Sequence, residues 1–196
     1  MKATFFERLG AYLIDMLVVS LIFSIICLGL GNNTSTAEKL MQELDNKLVN
    51  SEITMEEYYE EYSKLLYDYQ KENVLQSGIS VALTIAYYVV FQYMNKGQTI
   101  GKKLLKIQVV DKDTKKPISI LKGLLRSFIV LSILSGTLFI ILIYILNSKY
   151  YITSYATILM LEAIFTLTTT MFVLYRKDSR GLHDMMANTI VLKENK

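Results

Sequence analysis

Four long apolar runs limit what this chain can fold into. They cover Leu9–Leu30, Ile79–Met94 (extended back toward Val74), Leu124–Leu146 and Tyr155–Tyr175. A helix needs about 20 residues, at about 1.5 Å each, to cross a bilayer. Four such runs in a chain of 196 residues leave no polar face for water to solvate. The expected fold class is an all-α membrane protein. Its core is a four-helix transmembrane bundle with helices over about 9–31, 76–94, 123–146 and 154–175. A single domain spanning 1–196 suits the length. A soluble enzyme and a nucleic-acid binder are both disfavoured.

The first run is too long for a signal peptide, whose apolar region spans about 7–15 residues. Its exit, Leu30-Gly31-Asn32-Asn33, shows no small-residue cleavage site and starts a turn instead. Cys27 follows Ile26, where a lipoprotein site wants a small residue, so it reads as a lipid-buried thiol. One cysteine makes no intrachain disulfide.

Charge follows the runs. The net charge of +3 conceals an acidic segment, 32–73, with ten acids and four bases. The stretch 95–123 carries eight lysines against Asp111 and Asp113. The tail adds Arg176, Lys177, Arg180, Lys193 and Lys196. Basic connections stay on the cytoplasmic side. Both termini, the loop 95–122 and the tail 176–196 are therefore expected to be cytoplasmic, with the acidic segment outside. The basic balance then reports sidedness and implies no nucleic-acid partner.

The outer segment 35–73 reads as a helical hairpin. Leu40, Met41, Leu44 and Leu48 share one helical stripe, and Thr54 with Glu57 forms a capping box. Tyr58, Tyr62, Leu65, Leu66 and Tyr69 form the second stripe. Its tyrosines suit either a self-packed seam or a docking surface for another membrane protein.

Gly97-Gln98-Thr99-Ile100-Gly101-Lys102-Lys103 is no phosphate loop. That loop needs four residues between its glycines and a Ser or Thr after the lysine. Asp111-Lys112-Asp113 fails as a calcium loop, which needs Gly at its sixth place and a carboxylate at its twelfth. Lys102, Lys103 and Lys106 instead suit a segment lying on anionic headgroups. The β-branched stretches 106–110 and 188–192 are expected to pair as a small cytoplasmic sheet. Ser119 is expected to cap the helix after them, with Lys122 and Arg126 at its mouth.

Ionisable groups inside the runs are the candidate functional residues. Arg8 and Asp15 lie two turns apart on one face of the first helix. Glu162 lies in the fourth run, with Thr166, Thr169 and Thr170 along the same face. Two readings stay open: a protonatable or cation-binding relay, or polar glue between helices. Ser132 and Gly136 form a small-residue pair suited to helix packing. His183 is the one histidine and makes a poor metal site, and no cofactor is expected. No nucleophile–base constellation is placed for catalysis, so an enzyme is not expected.

Three blocks resemble the RDD family of bacterial inner-membrane proteins. Arg8-Leu9-Gly10-Ala11-Tyr12-Leu13-Ile14-Asp15 resembles its opening. Gly97 to Leu105, followed by Val109-Val110-Asp111, resembles its central signature. Arg180-Gly181-Leu182-His183-Asp184, followed by Thr189, resembles its terminal block, with Asn188 where a glycine often stands. The resemblance implies Arg8, Asp15 and Asp184 as the named residues, and suspected transport. Asp184 could then fold back so that Arg8 bridges two aspartates. The expected function is a small transporter of protons or monovalent cations, for which four helices imply a homo-oligomer. The alternative is a non-transporting accessory or regulatory subunit binding another membrane protein.

Overall fold

The computed structural model describes residues 1–30 and 34–194, and is mostly helical with one small sheet. The turn expected at Gly31–Asn33 lies outside the described residues, as does Lys196 of the tail. Helix α1 covers Phe5–Leu30, α2 Thr34–Val49 and α3 Met55–Glu72. Helix α4 covers Val74–Met94 and contains a π-helical turn at Ala86–Phe91. Short helix α5 covers Ile100–Leu104 and leads to strand β1, Ile107–Asp111. Then come α6 (Ile120–Ser127), α7 (Ile133–Ile145), α8 (Ser148–Tyr175), α9 (Leu182–Met186) and strand β2 (Thr189–Lys193).

Helices α1, α4 and α8 are long and apolar enough to cross a membrane. Their outer faces are strongly apolar. On α1, Leu13, Leu17, Leu21, Ile25 and Leu28 are exposed at helical spacing; on α8, Leu161, Ile164, Leu167 and Leu174 are. Water would not tolerate such faces over this length, whereas lipid does.

The third apolar run departs from expectation. It is not one helix over 123–146 but two, interrupted at residues 128–132. Ser132 adopts a left-handed backbone with φ 56. The freed backbone groups are met locally: the Leu134 N–H donates to the Phe128 carbonyl at 2.9 Å, and the Leu131 N–H to Ser127 at 3.1 Å. The 13 residues of α7 reach about 20 Å, short of the roughly 30 Å of a hydrocarbon core. Apolar composition alone did not reveal the break. Gly136 does act in packing, since an added Cβ would lie 2.7 Å from a Val81 methyl.

The α2–α3 pair forms the expected hairpin. Thr54 caps α3 reciprocally with Glu57, and Asn73 joins α3 to α4 almost without interruption. Three of the tyrosines make internal contacts. Tyr58 donates to Asp45 at 2.8 Å and stacks on Tyr62, and Tyr67 donates to the Ile143 carbonyl at 2.9 Å.

At the other end, β1 and β2 pair antiparallel, with Val109 opposite Val191. The N-terminus joins them, as the Ala3 N–H donates to the Val191 carbonyl at 3.1 Å. Ala3, Ala11, Ile107, Val109, Ile118 and Val191 form the buried core here. Ser119 caps α6, its hydroxyl accepting from the Lys122 N–H. Asn188 holds the left-handed position before β2, φ 50, and donates to Asp113 at 2.6 Å. Asn tolerates that backbone better than most non-glycine residues.

Candidate polar network and cavity at the basic end

Asp184 is the centre of the network. It sits in the first turn of α9, fully buried. Arg8 of α1 reaches its Oδ2 at 2.8 Å, and Arg126 of α6 reaches its Oδ1 at 2.6 Å. The Thr189 hydroxyl lies 3.3 Å from Oδ1, and the Gly181 N–H 3.4 Å from Oδ2. Arg180 ties the segment together from behind, donating to the Thr189 carbonyl at 2.9 Å and the Asp184 carbonyl at 3.0 Å. Burial opposes ionisation of Asp184, but Arg126 and Arg8 outweigh it and hold the carboxyl well below the usual range.

Asp15 belongs to a separate cluster. Arg8 does not bridge the two aspartates, which corrects that expectation. The Tyr87 hydroxyl donates to Asp15 Oδ1 at 2.6 Å, the Gly101 N–H to Oδ1 at 2.7 Å, and the Thr99 hydroxyl to Oδ2 at 2.5 Å. The π-helical turn in α4 brings Tyr87, Tyr88 and Val89 all inward, so two tyrosines in sequence reach the interior. Such turns recur at functional sites. Asp15 thereby anchors the Thr99–Gly101 corner to α1.

Gly97 and Gly101, on either side of Thr99, have steric reasons. Gly97 has φ +92, and a Cβ there would lie 2.1 Å from the Val109 carbonyl oxygen. A Cβ on Gly101 would lie 2.2 Å from the Ala11 carbonyl oxygen. No ordinary side chain fits at either place.

A cavity of about 360 Å³ lies between these clusters. Arg8, Asp15, Gln92, Lys102, Arg126, His183 and the threonines 166, 169 and 170 line it, with apolar walls from Phe5, Leu9 and Val173. Thr166 therefore shares this space with Asp15, while Glu162 does not reach it. Glu162 accepts instead from the Ser132 hydroxyl at the break in the third run.

Lys102 departs from the surface reading. Its ammonium turns inward and donates to Gln92 Oε1 at 2.5 Å. Burial, with Arg126 beside it, pushes that ammonium down to about 7. Lys103 and Lys106 are exposed, as a surface-lying pair would be. Burial likewise pushes the His183 imidazole down to about 4, leaving it neutral near pH 7.

A second cavity, of about 700 Å³, opens toward the hairpin. Hydroxyls and amides line much of it, among them Ser80, Thr84, Gln76, Asn73 and Ser135. Leu131, in the broken segment, lines both cavities.

Tyr87, Thr99, Gln92 and Arg126 are functional-looking residues that sequence reasoning did not assign to the site. Thr99 stood within the central block, and Arg126 had been placed at the right mouth without its partner. Tyr87 and Gln92 left no local signal, because their partners lie in other helices.

Comparison with curated proteins and with solved structures gives no match to this chain. The family model described as the RDD family matches residues 2–188, a span that holds Arg8, Asp15 and Asp184 together, and the chain belongs to the RDD family.

Proposed function

We propose that the protein is a small transporter in a bacterial cell membrane, with both termini and the basic end cytoplasmic. One observation carries this reading: Leu131 of the broken segment lines both cavities, and a third cavity of about 280 Å³, with Val130, Leu131 and Ser132 in its wall, shares residues with each. Irregular backbone at membrane depth is tolerated where it is buried in protein or lines a cavity. Discontinuous helices at the midplane are a recurring arrangement in transporters. Movement of Leu131 and Ser132 would join the two cavities and open a path from one side to the other.

Four passes follow from this reading, the third of them interrupted. Protons and monovalent cations are the first ions to test. Glu162, Ser132 and the threonines of α8 are the groups such an ion would meet, and a homo-oligomer would supply the bulk that four passes lack. The purified protein in liposomes carrying a pH-sensitive dye should collapse an imposed proton or cation gradient faster than empty liposomes. Substituting Leu131 by Ala should change that rate. If no ion moves above the empty-liposome rate, the transporter reading fails. The accessory-subunit reading then takes its place, to be tested by crosslinking in native membranes.

A further inference from the structure

Among the described residues, buried side-chain atoms without a hydrogen-bond partner are few, and they cluster. They are Arg8 Nε and Nη2, Gln92 Nε2, Thr169 Oγ1, His183 Nδ1 and Gln76 Oε1. All but the last belong to residues lining the 360 Å³ cavity at the basic end. They come from α1, α4, α8 and α9, so no single local motif explains the convergence.

Their chemistry has a direction. A guanidinium is donor-only, and Arg8 spends Nη1 on Asp184 while leaving two nitrogens, Nε and Nη2, unpaired. Gln92 is 2% exposed, and its Oε1 is taken by the Lys102 ammonium. Its amide nitrogen is therefore the free atom, and it too can only donate. Thr169, 4% exposed, adds a free hydroxyl. Lys102 and Arg126 bring two further cations to the same walls. Buried donors in native proteins are almost always paired. The complement to these is a compact, acceptor-rich anion.

His183 refines the match. Its Nε2 faces Asp184 Oδ1 at 3.4 Å and is the natural place for the ring proton. The neutral ring then presents Nδ1 as an acceptor, which suits the one remaining proton of a phosphate monoester. Phe5, Leu9 and Val173 supply apolar wall on the same cavity, room for carbon chain beside the charged group.

We propose that this cavity binds a phosphate-type oxyanion, either as the headgroup of an anionic lipid or as a free ion. Arg8, Lys102 and Gln92 grip its oxygens, and His183 accepts from its hydroxyl. The site stands whether or not the protein transports. Burial disfavours the charge on Lys102 most, Arg126 and Arg8 add to that, and Asp15 and Asp184 oppose it. A bound anion adds to the opposing side and restores the ammonium.

The test uses the full-length protein in neutral detergent, with thermal stabilisation as the readout. The probes are dihexanoyl phosphatidic acid, inorganic phosphate and, as the uncharged-net control, dihexanoyl phosphatidylcholine. Saturable stabilisation by phosphatidic acid alone assigns a lipid headgroup; equal stabilisation by phosphate assigns a free oxyanion. Either supports the site, and the phosphatidylcholine control should do nothing. Lys102→Gln, which breaks no salt bridge, should weaken the anionic probe about tenfold. Gln92→Leu should weaken it as well, while the exposed Lys103→Gln should leave it unchanged. The proposal is overturned if neither anionic probe stabilises at millimolar concentration. It is also overturned if phosphatidylcholine stabilises equally, or if Lys103→Gln weakens binding as much as Lys102→Gln does.

Discussion

Arg8 and Asp184 stand 176 positions apart in the chain and 2.8 Å apart in space. Their contact closes the molecule. It ties the start of α1 to the segment that follows α8, and so links two membrane-type helices through a charged pair rather than through apolar packing. Arg126 completes the arrangement from α6, so one buried carboxylate joins three elements. In the low dielectric beside a membrane such a charge is stable only while its partners remain.

The first prediction follows from that dependence. Arg8→Ala leaves Asp184 with one arginine instead of two and should destabilise the protein by about 3–5 kcal/mol. Asp184→Ala should cost at least as much, because two arginines then face each other without a carboxylate. Arg8→Lys keeps the charge but not the planar fork, and should fall between wild type and Arg8→Ala. Thermal melting in detergent orders the variants, and an unchanged melting point for Arg8→Ala would contradict the buried pair.

Asp15 makes a different prediction. Three donors converge on its carboxylate, from Tyr87, Thr99 and Gly101. Asp15→Ala orphans all of them, at about 1–3 kcal/mol for each buried donor. Asp15→Asn keeps one oxygen for Tyr87 and Gly101, and its amide can donate to the Thr99 hydroxyl if that hydroxyl turns. The Asn variant should therefore melt well above the Ala variant. If the two melt together, the carboxylate is not the anchor of the Thr99–Gly101 corner.

The glycines sort into two groups by what a methyl would meet. Gly97→Ala and Gly101→Ala would each press a Cβ to within 2.1–2.2 Å of a carbonyl oxygen, of Val109 and Ala11 respectively. Backbone must shift, and overpacking of this kind costs about 1–3 kcal/mol or more. Gly29 and Gly78 lie in helices with nothing within 4 Å of a Cβ. Replacing either by Ala should be neutral or stabilising by up to about 1 kcal/mol. Expression and melting of the four variants measure the contrast directly.

Local features were legible in the sequence, and their reasons are local. The Thr54–Glu57 capping box, the Ser119 cap and the pairing expected for 106–110 and 188–192, found one residue on at 107–111 and 189–193, each rest on a few adjacent residues. The hairpin was legible because its polar and apolar stripes alternate at helical period. The interruption at 128–132 was not, since Phe128, Ile129, Val130 and Leu131 are as apolar as their helical neighbours. Nor were the partners of Asp15, which come from elements 72 and more positions away. Arg8 and Asp184 entered as a pair through the family blocks, whereas Arg126 had to be seen in place. The inward turn of Lys102 was not legible, because its partner Gln92 lies in another helix and its sequence neighbours Lys103 and Lys106 are exposed.

The last prediction concerns pH. His183 is held neutral down to about 4 in the folded protein, by burial and by Arg126, Arg8 and Lys102, against the opposing pull of Asp184. In the unfolded chain the same imidazole titrates near 6.5. Between those values the unfolded state binds the additional proton, so folding stability falls as pH falls, by at most about 1.4 kcal/mol per pH unit from this group. Asp184, whose carboxyl is depressed, adds its own loss only as pH drops below its ordinary 3.8. The window from pH 6.5 to 4.5 therefore isolates the histidine from that aspartate. Melting of wild type in detergent should decline across it. His183→Gln has no proton to take up and should show a flatter decline. Parallel curves for the two proteins would mean that the ring titrates normally, and that the buried, cation-faced position of His183 is wrong.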